Sequence, residues 1–401
     1  MKIAFVVTHL SYGSPGSFVR VQEIARHLDK LGVATTILTP FEEDLVNVSD
    51  VKVEFIPSSM SKIGLMSTAY KLIRKTAYSR LTSGLFLSEG SFTRMASIIE
   101  GGMQKILQKQ EFDILHAVQP IAALACSALA NKYDIPLVSD IHNDWPEEIA
   151  AQGLCKRDDN IYRFLHDVKQ KIIDLSDAVT VVSEELKKYF VEKYRITSKP
   201  IVVVPPGGPI VSNVDNTIRE RNVVYAGMVN YREHVDLFAR SIPFVKEDAT
   251  FYISDYGDSI KNVKNITKKI DQEVNYVWFK KRQEVLGFLL RSKLGILTSH
   301  DDITRQLGPP LKLYDYMACG LPVIANDIGG WSKMIEDEKI GLLSKDDPKH
   351  FARCIDDLLS NESLWKEMHE NTLHLIGTKY KWENVAKNEL IPLYKRLTRD
   401  I

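Results

Sequence analysis

The chain has 401 residues, 44% hydrophobic and 26% charged, with 52 Lys+Arg against 52 Asp+Glu. That length divides more naturally into two domains than one, and the zero formal charge excludes general nucleic-acid binding, which needs a basic excess to neutralise phosphates. No run approaches the roughly 18 apolar residues of a membrane-spanning helix, and the four scattered cysteines (Cys126, Cys155, Cys319, Cys354) have no metal-binding spacing, so they read as reduced core residues with no metal expected.

The N-terminus carries one positive charge and a short apolar run that turns at Tyr12-Gly13-Ser14-Pro15-Gly16 without a cleavage site. It reads as a buried first strand, not a signal peptide, and the chain as cytoplasmic. Short β-branched runs then alternate with helical segments, the pattern of a parallel α/β architecture. The strands of the first half are Ile3 to Thr8, Ala34 to Leu38, Val51 to Ile56, Ile114 to Ala117, Leu137 to Ile141 and Ala178 to Val182. Helices are expected over Phe18 to Leu31, Ser91 to Gln108, Ala122 to Lys132 and Lys187 to Lys193. Ile201 to Pro209 ends the first domain (1–206), and the Gly-, Pro-, Asn- and Asp-rich stretch 207–221 reads as a linker. A second series (222–401) restarts with Asn222 to Ala226, Thr250 to Ser254, Asn275 to Trp278, Leu294 to Thr298, Pro322 to Ala325 and Gly341 to Leu343. Amphipathic helices close it, the last able to pack back on the first domain. Two doubly wound sheets of this kind place ligands at strand C-terminal ends.

Residues 58–88 break the pattern: Lys62, Lys71, Arg74, Lys75 and Arg80 are interleaved with apolar residues, and no acid is present. The segment suits docking on an anionic membrane or gripping a lipid-linked diphosphate; an ordinary solvated helix is the plainer alternative. The turn Gly13 to Ser17, with Gly13, Gly16 and Ser17 small enough for close ligand approach, lies between a strand and a helix, but a tight turn alone explains it equally well. It is not a dinucleotide fingerprint, and no acidic residue stands ready for a ribose.

The richest stretch runs from Gly308 to Gly330. Lys312 to Ala318 reads as a short helix ended by Gly320, Pro322 to Ala325 as a buried strand, and Gly329-Gly330 as a phosphate-sized turn. Lys312 and Asp315, at i and i+3, share a helix face. They can grip a diphosphate and a ribose, or simply pair as a surface salt bridge. Earlier, Asp140, His142 and Asp144 follow a buried strand; they offer a base or orienting group for an acceptor hydroxyl, while Asp144 equally suits a helix cap.

Pro310-Leu311-Lys312-Leu313-Tyr314-Asp315-Tyr316-Met317-Ala318-Cys319-Gly320-Leu321-Pro322-Val323-Ile324-Ala325, followed by Gly329-Gly330, closely resembles the C-terminal motif of family-4 glycosyltransferases of the GT-B fold. Further matches fall in the family's order: Gly13 to Ser17, Asp113 to Ala117, Ser176 to Ser183, Val224 to Met228 and Trp382-Glu383. Ile135 to Glu147 is similar to a segment of lipopolysaccharide-type members. The resemblance therefore spans nearly the whole chain. It implies two Rossmann-like domains facing across a cleft, the first holding the acceptor and the second a nucleotide sugar, with no metal or other cofactor. Gly227, Met228, Arg232, Lys312, Leu313, Asp315, Gly329 and Gly330 would bind the donor; His116, His142 and Asp144 would be catalytic, with Gly13, Gly16, Ser17 and Asp140 on the acceptor side.

The departures matter as much. Leu307 replaces the family's first glutamate and Asp315 its second. Met228 and Glu233 stand where the family has its second-domain Arg and Lys, and Lys333 where a Glu follows Gly-Gly. These losses resemble the xanthan-type glucuronosyltransferase, which inverts configuration where family 4 retains it, so the stereochemical outcome stays open. The expected activity is transfer from a UDP- or GDP-sugar to a glycan or polyprenyl-diphosphate-linked acceptor in cell-surface polysaccharide synthesis, peripheral to the cytoplasmic membrane. A catalytically degenerate nucleotide-sugar-binding scaffold is the alternative; an NAD-linked oxidoreductase is a weaker one, for want of a fingerprint.

Overall fold

The structure is a computed structural model describing residues 1–8, 15–40, 50–57, 88–151, 153–209, 211–212, 214, 217–279 and 281–399. The glycine turn at Gly13, the side chains of Gly16 and Ser17, and the basic segment apart from Ser88 lie outside the described residues. The chain forms two compact units, Met1–Pro205 with Trp382–Ile401, and Pro206–Lys381.

The first unit is built on β1 (Lys2–Val7), β2 (Ala34–Thr39), β3 (Val53–Phe55), β4 (Ile114–Val118), β5 (Leu137–Ile141), β6 (Ala178–Val181) and β7 (Ile201–Val203). All pair in parallel, in the order β3-β2-β1-β4-β5-β6-β7. Parallel strands carry apolar residues on both faces because crossover helices cover both sides. Ile3 to Val7, Leu137, Val138 and Ala178 to Val181 accordingly have almost no exposed surface. The helices Pro15–Lys30, Glu89–Leu107, Gln119–Tyr133 and Glu184–Tyr194 begin a few residues before the apolar periodicity predicts, and caps extend the second and the fourth. Ser88 and Ser183 each accept a bond from the amide three residues on, satisfying donors the first turn would leave bare. The strand order reverses between β1 and β4, which opens a crevice at their C-terminal ends.

The second unit repeats the plan with β8 (Asn222–Tyr225), β9 (Thr250–Ser254), β10 (Val274–Val277), β11 (Leu294–Leu297), β12 (Val323–Asn326) and β13 (Gly341–Ser344), in the order β10-β9-β8-β11-β12-β13, again all parallel. Its reversal falls between β8 and β11. The helix Leu311–Ala318 lays Leu313, Tyr316 and Met317 on this sheet. Gly295 makes that contact possible: a Cβ there would stand 2.8 Å from the Tyr316 ring.

The boundary at the linker differs from the sequence reading, while the tail packs back as the sequence allows. Part of the expected linker is packed structure. Gly208 bridges to Lys381 and donates to the Tyr380 carbonyl at 2.8 Å, and Arg219 donates to the carbonyls of Ser292 (2.9 Å) and Cys319 (2.7 Å). The tail Trp382–Ile401 belongs to the first unit, where Tyr394 is fully buried against His116.

Candidate functional site

In the second unit the loops after β8 and β11 meet at the reversal point. Three bonds stitch them: the His300 amide and the Ser299 hydroxyl donate to the Arg232 carbonyl (2.9 and 2.7 Å), and the Thr298 hydroxyl donates to that of Glu233 (2.7 Å). Asp302 caps the short helix Ile303–Gln306 through the Thr304 amide (2.9 Å) and also faces Arg232 at 3.4 Å. This scaffold brings Glu233, Arg305 and Lys312 together. The Glu233 carboxylate is 9% exposed and bridges both cations, hydrogen-bonding to Arg305 and to Lys312. Tyr225 joins them, accepting from Lys312 at 2.9 Å and donating to the Met228 carbonyl at 2.8 Å. Burial alone would raise the Glu233 pKa, but Arg305 and Lys312 beside it bring it down to about 2. Burial lowers that of Lys312, and Glu233 opposes the shift. Gly227 lies close under this group: a Cβ would stand 2.9 Å from the Lys312 ammonium.

Lys312 and Asp315, which the sequence pairs on one face, have separate partners: Lys312 holds Glu233, and Asp315 accepts from Arg282. Arg232 lies beside the cluster, bound to Asp302 and the Thr304 hydroxyl. Met228 contributes its carbonyl. Leu313, expected on the donor, is instead fully buried, its side chain locked in the core under the sheet. The Gly329-Gly330 turn is less open to a phosphate than its composition predicts. The Gly330 amide is spent on the Ile328 carbonyl (2.9 Å) and the Ser332 amide on that of Gly329 (3.0 Å), and the helix that follows, Ser332–Asp337, has only six residues. A Cβ at Gly330 would strike the Arg305 carbonyl at 2.1 Å, so this glycine serves the packing of the Arg305 loop.

In the first unit Asp140, at the end of β5, is 2% exposed. It accepts from Thr180 at 2.8 Å and lies 2.8 Å from His142 Nε2 and 3.5 Å from Arg20 Nε. Burial would raise its pKa, but His142 and Arg20 hold it well below the usual carboxylate range. Arg20 is itself aimed by the carbonyls of Val204 (2.6 Å) and Pro205 (3.0 Å). His116 lies inside the sheet, its Nδ1 2.6 Å from the Tyr394 hydroxyl and its Nε2 4.0 Å from Asp140, with no hydrogen bond at Nε2. Burial pushes its pKa down to about 4, so it is neutral at pH 7. His142, 12% exposed, is the imidazole of this group nearest solvent, and a carboxylate-oriented imidazole can take a proton from a hydroxyl.

Asp144 is a different case. It is fully buried, and its two oxygens accept from Tyr189 (2.7 Å), Tyr194 (2.8 Å) and Lys193 (2.7 Å). A carboxylate with both oxygens committed to three donors has no room for an acceptor proton, so the catalytic role expected of Asp144 gives way to one of holding helix Glu184–Tyr194. The sequence reading misses Arg20, Tyr394, Tyr225, Glu233, Arg282 and Arg305. Only Glu233 leaves a signal, as an acid where the family pattern has a lysine; the others gain meaning from partners far along the chain.

Comparison with known proteins gives the family and the fold. Residues 16–208 match the model of Glycosyltransferase Family 4, and residues 220–361 that of Glycosyl transferases group 1. The chain belongs to the family-4-like GT-B glycosyltransferases. An uncharacterised glycosyltransferase of Methanocaldococcus jannaschii is 22% identical over 334 residues, 77% of this chain and 82% of that protein. Among solved structures, sucrose-phosphate synthase from Thermosynechococcus elongatus superposes with a TM-score of 0.76 at 14% identity, covering 100% of both chains. Anabaena HepE in complex with UDP superposes at 0.68 and 12% identity, covering 99% of this chain and 100% of that one. This glycosyltransferase thus has the GT-B fold in both halves, and no helix among its described residues is long and apolar enough to cross a membrane.

Proposed function

We propose that this glycosyltransferase takes its sugar from a nucleoside-diphosphate donor of UDP or GDP type, held by the second unit at the β8/β11 reversal. The observation that carries the reading is the Glu233 carboxylate, buried between Arg305 and Lys312 with Arg232 close by. Two converging cations around one internal anion make a site for a diphosphate, and Glu233 acts as the counter-ion that the donor displaces. Asp315, steadied by Arg282, accepts from the ribose hydroxyls, and Trp278, 62% exposed at the end of β10, offers a face for the base. Cations stabilise the leaving diphosphate without a catalytic metal. HepE, a neighbour in fold with bound UDP, supports the same donor class.

On the acceptor side, His142 oriented by Asp140 meets the hydroxyl. The acceptor is a glycan or a polyprenyl-diphosphate-linked sugar, presented at the inner face of the cytoplasmic membrane by the basic segment 58–88. The test is a panel of nucleotide sugars with wild type and Lys312→Ala, reading thermal shift and released nucleoside diphosphate with and without membrane lipid extract. One donor should stabilise the wild type only, with release rising when lipid is added. Equal stabilisation of Lys312→Ala would remove the diphosphate from this cluster, and release indifferent to lipid would remove the lipid-linked acceptor.

A further inference from the structure

A second polar cluster lies on the same β8 loop, separate from the groups assigned to the donor. His234 has a left-handed backbone (φ 49°) between the turn Tyr231–Glu233 and the helix Val235–Ser241. Its side chain is 4% exposed and is held from both ends: Nδ1 lies 2.9 Å from Asp236 Oδ1, and Nε2 lies 2.8 Å from Asp346 Oδ1. Asp346 follows β13 and is 63% exposed. His300, from the loop after β11, stacks on His234 with ring centroids 3.8 Å apart, and Tyr231 stacks on His300 at 4.4 Å. The His300 ring makes no hydrogen bond to any described residue, so its lone pair is uncommitted. The second oxygen of Asp236 is taken by Arg240 at 2.6 Å, which leaves Oδ1 on the histidine side. One donor atom from each of His234, Asp236 and His300 lies within 4.8 Å of the others, and this is the only such trio among the described residues.

We propose that His234, Asp236 and His300 bind a divalent first-row transition ion of zinc type, with Asp346 orienting His234 from behind. Two imidazoles and one carboxylate are the borderline donor set that such ions favour over magnesium or calcium. The Asp346 bond to Nε2 fixes the tautomer that turns a lone pair on Nδ1 toward Asp236, the outer-shell arrangement typical of metal-binding histidines. Ligand atoms around a tetrahedral zinc stand roughly 3–3.5 Å apart, given bonds of about 2.0–2.2 Å. A modest turn of the half-exposed His300 ring out of its stack brings the three donors to that spacing, with water as the fourth ligand. The bound ion ties the β8 loop to the β11 loop and steadies the turn that carries Arg232 and Glu233. The ion takes no part in the metal-free chemistry proposed for the donor. The inference does not depend on which donor is used.

The test is titration of the EDTA-stripped full chain with Co2+, followed by its visible d–d absorption, then competition with Zn2+. One equivalent of Co2+ should give a band that Zn2+ abolishes, and Zn2+ should raise the melting midpoint. His300→Ala and Asp236→Asn should weaken binding at least tenfold. Asp346→Asn, at an exposed position that leaves the fold intact, should weaken it about 10- to 100-fold at unchanged stoichiometry. His374→Ala, on the exposed face of helix Glu362–Thr378, should change nothing. Absence of the cobalt band, wild-type affinity in both His300→Ala and Asp346→Asn, or loss of binding in His374→Ala overturns the proposal.

Discussion

Both units bury a carboxylate against cations at the C-terminal ends of a parallel sheet, yet the two carboxylates are mounted differently. Asp140 belongs to a strand, and its partners come from β6 (Thr180), from helix Pro15–Lys30 (Arg20) and from the next loop (His142). It cannot move without disturbing the sheet. Glu233 sits at the end of a three-residue turn, and its partners Arg305 and Lys312 come from two short helices, Ile303–Gln306 and Leu311–Ala318. Side chains on such a turn can rearrange while the sheet stays fixed. The difference separates a rigid frame that aims an imidazole from a loosely mounted counter-ion that can yield to a ligand.

Removing the framed charge should cost most. Asp140→Ala leaves Arg20 buried without its carboxylate, and breaking a buried pair from one side costs about 3–5 kcal/mol. Denaturant unfolding should show that loss, and a cost below about 1 kcal/mol would make Asp140 as dispensable as a surface ion pair. Asp144→Ala should cost a similar amount for the same reason. Its effect on activity in the folded protein should be slight, which separates its role from that of His142.

Next in size is a pH effect confined to the first unit. The His116 pKa falls from 6.5 unfolded to about 4 folded. The unfolded chain therefore takes up a proton first as pH drops. Stability from this group is complete above pH 6.5 and is lost between pH 6.5 and 4, by about 3 kcal/mol. His116→Gln should flatten that part of the stability profile; an unchanged slope would assign it to other groups. Glu233 loses its contribution in the same direction but at lower pH, with a folded pKa of about 2, below its ordinary 4.5. Its contribution is present above pH 4.5 and fades only below it, so the second unit should hold through the window in which the first weakens.

Smaller effects should fall on binding. Lys312→Ala should weaken UDP or GDP binding about 10- to 150-fold, equivalent to the roughly 1.5–3 kcal/mol of a hydrogen bond to a charged group, with little change in unfolding because Arg305 still holds Glu233. Calorimetric titration measures this directly. Glu233→Gln should have the least effect and the opposite sign: several-fold tighter nucleoside diphosphate binding, because no carboxylate must leave. Weaker binding in Glu233→Gln would mean that Glu233 aims the cations and does not compete with the ligand, and the contrast between the two mounts would fail.

The alternation of short apolar runs with helical periodicity is enough to read two parallel doubly wound sheets, because each strand's burial on both faces is written in its own residues. Nearly every strand core, from Ile3 to Val7 through Gly341 to Leu343, is found where that pattern predicts it. Lys312, Gly227 and the Asp140–His142 pair are likewise legible, since each belongs to a motif of fixed local spacing at a strand end or a helix start. Charge pairing is not legible in this way. Arg305 and Lys312 reach Glu233 across 72 and 79 positions, and Tyr394 reaches His116 across 278. Nothing in the local pattern of Asp144 separates a base from a buried anchor. Whether an ionisable side chain is a reactive group or a tie depends on which donors crowd it and how much water is left. Only the folding of distant segments against one another decides that.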